Sequence, residues 1–215
     1  MCRCFNRNCT PTCSEWGCIE MKTDKAALRQ QQLTLLRGHG VEERKIWSGE
    51  IVKHLRDWEI FQQARCVLLY APMRNEPDLL GLLTGAGQEN APNSPTKKWC
   101  FPKVQDSRLS LHEVHDLQHL QSGNSLLREP NPALCPVVEA GEIDLAIIPG
   151  LAFDPTTHLR LGRGGGYYDR LLARPEFRAS TVGVGFPGQL WEGLPRENHD
   201  VPLHAVVTPM GFAKT

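Results

Sequence analysis

Ile143-Asp144-Leu145-Ala146-Ile147-Ile148, then Pro149-Gly150-Leu151-Ala152-Phe153-Asp154 and, shortly after, Arg160-Leu161-Gly162-Arg163-Gly164-Gly165-Gly166-Tyr167-Tyr168-Asp169-Arg170 decide the fold. The first run is apolar and rich in β-branched residues, so it reads as a buried parallel strand. Tyr167 to Leu172 reads as the opening turns of a helix. Between them lies a glycine-rich turn. Such a turn at a helix N-terminus exposes several backbone N–H groups, and glycine lets an anion approach them closely. Arg160 and Arg163 add charge suited to phosphate oxygens. On residues alone the glycines are equally what a tight turn requires. The loop is neither a Walker A sequence nor the G-x-G-x-x-G dinucleotide fingerprint.

Outward from this segment, strands and helices alternate. Thr23 or Asp24 can cap a helix over Lys25 to Arg37, with Leu28, Leu35 and Leu36 at helical spacing. A second helix is expected from about Val41 to Ala64, where Ile46, Trp47, Ile51, Leu55 and Trp58 recur every three to five residues. Cys66 to Tyr70 reads as a strand, and Glu76 to Leu83 as a short helix. Thr84 to Lys98 is a Gly-, Asn- and Pro-rich loop. Trp99 to Val104 and Leu109 to His115 are further strands, and 123–141 shows no regular element. Thr181 to Phe186 is a strand, and Ala205 to Val207 is expected to be the last. The pattern is that of a single α/β domain, a mostly parallel sheet flanked by helices in a Rossmann-like three-layer arrangement. Ligands of such sheets bind at the carboxyl ends of strands, where both the glycine-rich loop and Ala71–Glu76 fall.

Composition narrows the partners. With 24 Lys plus Arg against 24 Asp plus Glu in 215 residues, there is no bulk attraction for nucleic acid or anionic lipid. No apolar run approaches the roughly 18–20 residues that span a bilayer, and no secretory signal is evident. The expected address is the cytoplasm, and the expected state a monomer. Five of the eight cysteines, Cys2, Cys4, Cys9, Cys13 and Cys18, cluster before Met21. Their spacing lacks the paired C-x2-C units of common zinc modules. His112, His115 and His119 lie where a strand pattern separates their side chains, which disfavours a metal patch.

The ordered string PGLAFD…RLGRGGGYYDR closely resembles the signature of the 5-formyltetrahydrofolate cyclo-ligases (methenyltetrahydrofolate synthetases). The resemblance runs from Met21 to the C-terminus, which implies a domain over 21–215 and makes residues 1–20 an extension outside the fold or an upstream start that is not used. It implies an ATP-dependent ligase that uses Mg2+ and acts on 5-formyltetrahydrofolate, with or without a polyglutamate tail. Lys25-Ala26-Ala27-Leu28-Arg29 resembles the family's K-x-x-L-R element, which implies that Lys25 and Arg29 contact ATP phosphates. Without the resemblance they are a basic helix face. Arg160, Leu161, Gly162, Arg163, Gly164, Gly165, Gly166, Tyr167 and Tyr168 would surround the triphosphate. Arg163 to Tyr167 would also face the folate, and Arg163 would serve catalysis.

Met73-Arg74-Asn75-Glu76-Pro77-Asp78 resembles the strand end where the family sets a carboxylate, here Glu76, against the pterin, and by family position Ala71 would line the same pocket. A carboxylate there can accept paired N–H donors; otherwise Glu76 is an acid opening a helix. Asp169 matches a magnesium ligand. Asp200, in Glu197-Asn198-His199-Asp200, resembles the acid of a C-terminal E-x-x-D element that supplies the second, with His199 a neighbour. Two departures stand out. Many relatives carry lysine where Gly165 stands, and many carry Asp where His204 stands. Lys103 occupies a place that is often basic. The competing readings are a phosphate-ligand enzyme on a related scaffold (sugar-phosphate isomerase or CoA-transferase-like) and a non-catalytic folate or nucleotide binder.

Overall fold

The computed structural model describes residues 24–83, 97–122 and 127–213. The cysteine cluster, Thr23 and most of the 84–98 loop lie outside them. Along the chain come α1 (Lys25–Gly38), α2 (Val41–Asp57), α3 (Glu59–Gln63), β1 (Cys66–Leu68), β2 (Lys98–Gln105), β3 (Arg108–Glu113), β4 (Leu120–Ser122), β5 (Arg128–Pro130) and β6 (Val137–Val138). They are followed by β7 (Leu145–Pro149), β8 (Ala152–Phe153), β9 (Arg160–Leu161), α4 (Tyr167–Leu172), β10 (Ser180–Val184), β11 (Ala205–Thr208) and β12 (Gly211–Phe212). Asp24 caps α1 by accepting the Ala26 N–H at 3.1 Å. Glu43 reaches back to the Gly40 N–H at 2.8 Å and closes the start of α2.

The main sheet runs β12-β11-β10-β7-β1-β2-β3-β6. Its five central strands, β11 to β2 in that order, are parallel, while β12, β3 and β6 pair antiparallel at the flanks. Strand alternation splits the core in two. Val67, Leu69, Leu145, Ile147 and Val182 pack with Ile51, Leu55 and Phe61 of α2 and α3 on one face. Leu68, Ala146, Ile148 and Val206 pack with Leu171 and Leu172 of α4 on the other. The result is the expected three-layer α/β fold. Leu28 and Leu36 of α1 pack instead with Leu151, Leu159 and Leu161 around the β8–β9 hairpin. This seats α1 beside the glycine-rich segment. From β1 the next parallel neighbour, β2, lies to one side, and from β7 the next, β10, lies to the other. The switch point between β1 and β7 is where a crevice opens in open α/β sheets.

Four expectations need correction. The helix expected over 41–64 breaks at Trp58, whose backbone is extended (φ −81°, ψ 124°). The break sets its indole on Phe212, with ring centroids 5.0 Å apart, and restarts the helix with Phe61 inward. The helix expected over 76–83 is one 3-10 turn, Leu80–Leu82, because Asp78 accepts the Leu80 N–H and confines the turn. The stretch 123–141 is not featureless: β5 pairs with β4, and β6 adds the last strand beside β3. Finally, β11 is followed by β12, a two-residue antiparallel return.

Candidate active site

A cleft of about 560 Å³ opens at the carboxyl ends of β1, β2 and β7. Its wall gathers Lys25 and Arg29 from α1, Ala71 and Glu76 after β1, the run Arg160 to Asp169, and Asp200 from the loop before β11. Every residue that the resemblance singled out for ATP, folate or magnesium thus borders one space. Lys103 does not border it; its ammonium lies 3.5 Å from Glu129.

The loop's shape is built into its glycines. Gly164 and Gly166 have φ of +103° and +63°, a region that costs an L-residue about 1–2 kcal/mol. Two loop carbonyls are held from outside. Arg29 Nε donates to Gly162 O at 3.0 Å, and Arg170 Nη2 donates to Gly165 O at 2.8 Å. The helix behind the loop, α4, has six residues, so the macrodipole expected from sequence is weak and the local amides matter more. Space beside Gly165 is taken by the Tyr167 ring, 2.7 Å from where a Cβ would stand.

The charged groups are paired across this space. Arg160, almost wholly buried, donates to Asp169 at 2.9 Å and lies over the Tyr168 ring. Its Nε is buried without a partner. Arg163 is the freer arginine, its side chain 36% exposed, and it reaches Glu76 Oε1 through Nε at 3.1 Å and Nη2 at 3.0 Å. The other Glu76 oxygen accepts the Met73 N–H at 3.0 Å. Burial, then the Glu76 carboxylate, push the Tyr70 and Tyr168 phenols upward, so both remain O–H donors. Tyr70 donates to Pro77 O at 2.7 Å.

Asp200 is held by Lys25 at 2.7 and 3.0 Å and by the Glu197 N–H at 2.6 Å. Burial raises its carboxyl, but the Lys25 ammonium, the Glu197 N–H and His199 outweigh this and hold it below the usual carboxylate range. A depressed folded value contributes stability that is present above the unfolded value of about 4 and lost as pH falls through the folded one. The gap in melting temperature between the native chain and Lys25→Met should therefore be widest near neutrality and shrink below about pH 4. Thermal scans from pH 7 to pH 3 test this; a constant gap would deny the linkage.

Ligand atoms of Glu197, His199 and Asp200 lie within 4.8 Å of one another. Asp169 is not in that group. Among the histidines that sequence set aside, His112 is a core residue whose ring nitrogens meet Cys135 O at 2.9 Å and Ser110 Oγ at 3.0 Å. His204 Nδ1 accepts the Thr181 N–H at 3.1 Å. Tyr70, Met73, Pro102, Val104, Arg128 and Glu129 also line the cleft, and sequence reading did not find them. Tyr70 and Met73 flank the quoted Ala71 and carried a signal. Arg128 and Glu129, in the stretch read as irregular, carried none.

Fold and cleft together define an open α/β sheet protein with a glycine-rich, arginine-lined cleft at its topological switch point. The family model for the 5-formyltetrahydrofolate cyclo-ligase family matches residues 21–209, and the chain belongs to that family. It is 41% identical over 187 residues to the 5-formyltetrahydrofolate cyclo-ligase of Mycolicibacterium smegmatis, covering 84% of this chain and 92% of that one. Against the mitochondrial enzyme of Arabidopsis thaliana it is 35% identical over 167 residues, 68% of this chain and 59% of that protein. The NMR structure of Aquifex aeolicus 5,10-methenyltetrahydrofolate synthetase superposes with a TM-score of 0.74 at 32% identity, covering 88% and 92% of the two chains.

Proposed function

We propose that this chain joins N10 to the formyl carbon of 5-formyltetrahydrofolate, consuming MgATP and releasing 5,10-methenyltetrahydrofolate, ADP and phosphate. The observation that carries the reading is the convergence of Lys25, Arg29, Glu76, Arg163, Asp169 and Asp200 on one cleft in a chain of this family. An amide oxygen is a very poor leaving group, so it must first be phosphorylated. The formyl oxygen attacks the γ-phosphorus, and the bond to the departing ADP breaks. N10 then attacks the carbon of the resulting N5-iminium phosphate and gives up its proton. The C–O bond breaks, and phosphate leaves with the oxygen. Positioning and charge stabilisation supply most of the acceleration for such transfers.

Lys25 and Arg29 hold the outer phosphates beside the loop amides, Arg163 neutralises the phosphoryl group in flight, and Glu76 receives the pterin N–H donors above Ala71. The donor set suits a hard divalent cation: carboxylate oxygens of Asp200 and Glu197 stand together, and magnesium uses one or two carboxylates plus phosphates and water. Asp169 and Asp200 would hold Mg2+, which when bound neutralises charge on the β- and γ-phosphates. Asp169 reaches that role only while sharing its charge with Arg160. With 5-formyltetrahydrofolate and MgATP, the methenyl product should accumulate by its absorbance, and omission of ATP or magnesium should abolish it. ATP-independent turnover, or none by folded protein, would sink the reading.

The domain is residues 21–215, working in the cytoplasm as a monomer. No helix among the described residues is long and apolar enough to cross a membrane, and Cys66, Cys100 and Cys135 are free thiols. A chain lacking residues 1–20 should keep kcat and both KM values within about twofold, because the family match begins at residue 21. Kinetics of the truncated protein decide it; a tenfold loss would make the cysteine-rich segment part of the enzyme.

A further inference from the structure

Asp154 closes the Pro149–Asp154 segment, and the scheme above does not use it. It is 1% exposed, and among the described residues no cation pairs with it. A buried carboxylate without a counter-charge is costly unless hydrogen bonds replace the water it loses. Four backbone N–H groups do so here. Thr156 and Thr157 donate to Oδ1, both at 2.9 Å, and Gly193 and Leu194 donate to Oδ2 at 2.8 and 3.2 Å. Burial raises this carboxyl, and the four N–H groups more than reverse it, holding it below the usual carboxylate range.

The two pairs of donors belong to two different turns. The first turn runs through His158 into β9 and so directly into the glycine-rich loop. The second precedes Glu197 and Asp200, the acids beside Lys25. One further bond, Leu203 N–H to His158 O at 3.0 Å, ties the same two segments. We infer that Asp154 is a positioning residue for the nucleotide half of the cleft: its two oxygens fix the spacing between the glycine-rich phosphate loop and the Glu197–Asp200 carboxylates. The inference rests on the proposed function. The folate wall after β1, with Ala71 and Glu76, donates no hydrogen bond to Asp154. A nucleotide must touch both tethered segments at once, whereas the folate meets only the loop of the two and is anchored at Glu76, on a wall outside the staple.

Asp154→Asn offers one acceptor oxygen and one NH2 donor where two pairs of N–H donors arrive, so one turn is released. Calorimetric titration of the full chain with a magnesium complex of a non-hydrolysable ATP analogue, and separately with 5-formyltetrahydrofolate, reads the consequence. Nucleotide affinity should fall about tenfold or more, with folate affinity held within about threefold. Gly193→Ala approaches the staple from its other end. Gly193 has φ of +74° with open space around its Cβ position, so alanine strains the second turn without a clash and leaves the carboxylate in place. It should show the same selective loss, smaller in size. Parallel loss of both ligands, or unchanged nucleotide affinity in folded protein, overturns the inference while leaving the proposed function standing. If Asp154→Asn does not fold, Gly193→Ala decides. Failure of the native chain to bind the nucleotide overturns both.

Discussion

Arg163→Ala should lower kcat by about 10²-fold or more, with a much smaller change in the KM for MgATP. The loop offers two arginines, and the structure separates their tasks. Arg160 is buried, balanced by Asp169 and stacked on Tyr168, so its charge serves the wall. Arg163 is over a third exposed and, among the described residues, tied only to Glu76, across the cleft. It can swing to a phosphoryl group without leaving a hole in the core. Charge on the transferring group peaks in the transition state, so most of the loss should appear in kcat and only the smaller part in nucleotide binding. The fold should hardly notice: a partly exposed ion pair is worth about 0–1 kcal/mol, a few degrees of melting temperature in a domain of this size. Arg163→Lys, which keeps the charge but not the planar fork, should fall between. Single-turnover kinetics at saturating MgATP give the answer. A kcat within about threefold of native would remove Arg163 from the chemistry.

Legibility of the fold followed the range of the interactions. The central strands were plain because burial on both faces makes them continuous apolar runs, as in Leu145–Ile148. Helix α1 was plain because Asp24 and the leucine spacing are local signals. What failed was non-local. Trp58 is a tolerable helix residue, and its packing on the distant Phe212 ring, which accompanies the break, leaves no mark in the local sequence. Strands β5 and β6 are two or three residues long, too short for any periodicity, and they exist because β4 and β3 present free edges to them.

The site divides in the same way. Its glycines, arginines and acids lie in contiguous motifs whose order the chain displays, and all of them border the cleft. Their pairings were invisible. Nothing in the spacing of Glu76 and Arg163, or of Lys25 and Asp200, says that each pair meets, since the meeting depends on strands β1 and β7 being neighbours and on α1 packing over β8–β9. Asp154 lies within a contiguous motif, yet nothing in the spacing says that the Gly193 and Leu194 N–H groups converge on it.

Those hidden pairings make a second prediction whose sign is unusual. Glu76→Gln should raise the KM for 5-formyltetrahydrofolate by about 10²-fold, because a carboxylate accepting paired pterin N–H groups becomes an amide with one acceptor and one opposed donor. Hydrogen bonds to a charged acceptor contribute about 1.5–3 kcal/mol, and each 1.4 kcal/mol is tenfold in affinity. A residue that served the folate alone would leave the nucleotide untouched. Here the same oxygen that would receive the pterin carries Arg163 at 3.0 and 3.1 Å. An Arg163 paired with Glu76 is withheld from a phosphate, and a pterin on Glu76 would have to displace it. Glutamine holds a guanidinium far more weakly, so Arg163 is released without folate. Affinity for a non-hydrolysable ATP analogue in the absence of folate should hold or increase in Glu76→Gln, even as folate binding collapses. In the native chain, bound folate should likewise tighten the analogue, and linkage requires the analogue to tighten folate by the same factor. Titrations of each ligand with and without the other test both statements. A parallel fall in both affinities would show that Glu76 holds the cleft together rather than holding Arg163 in reserve.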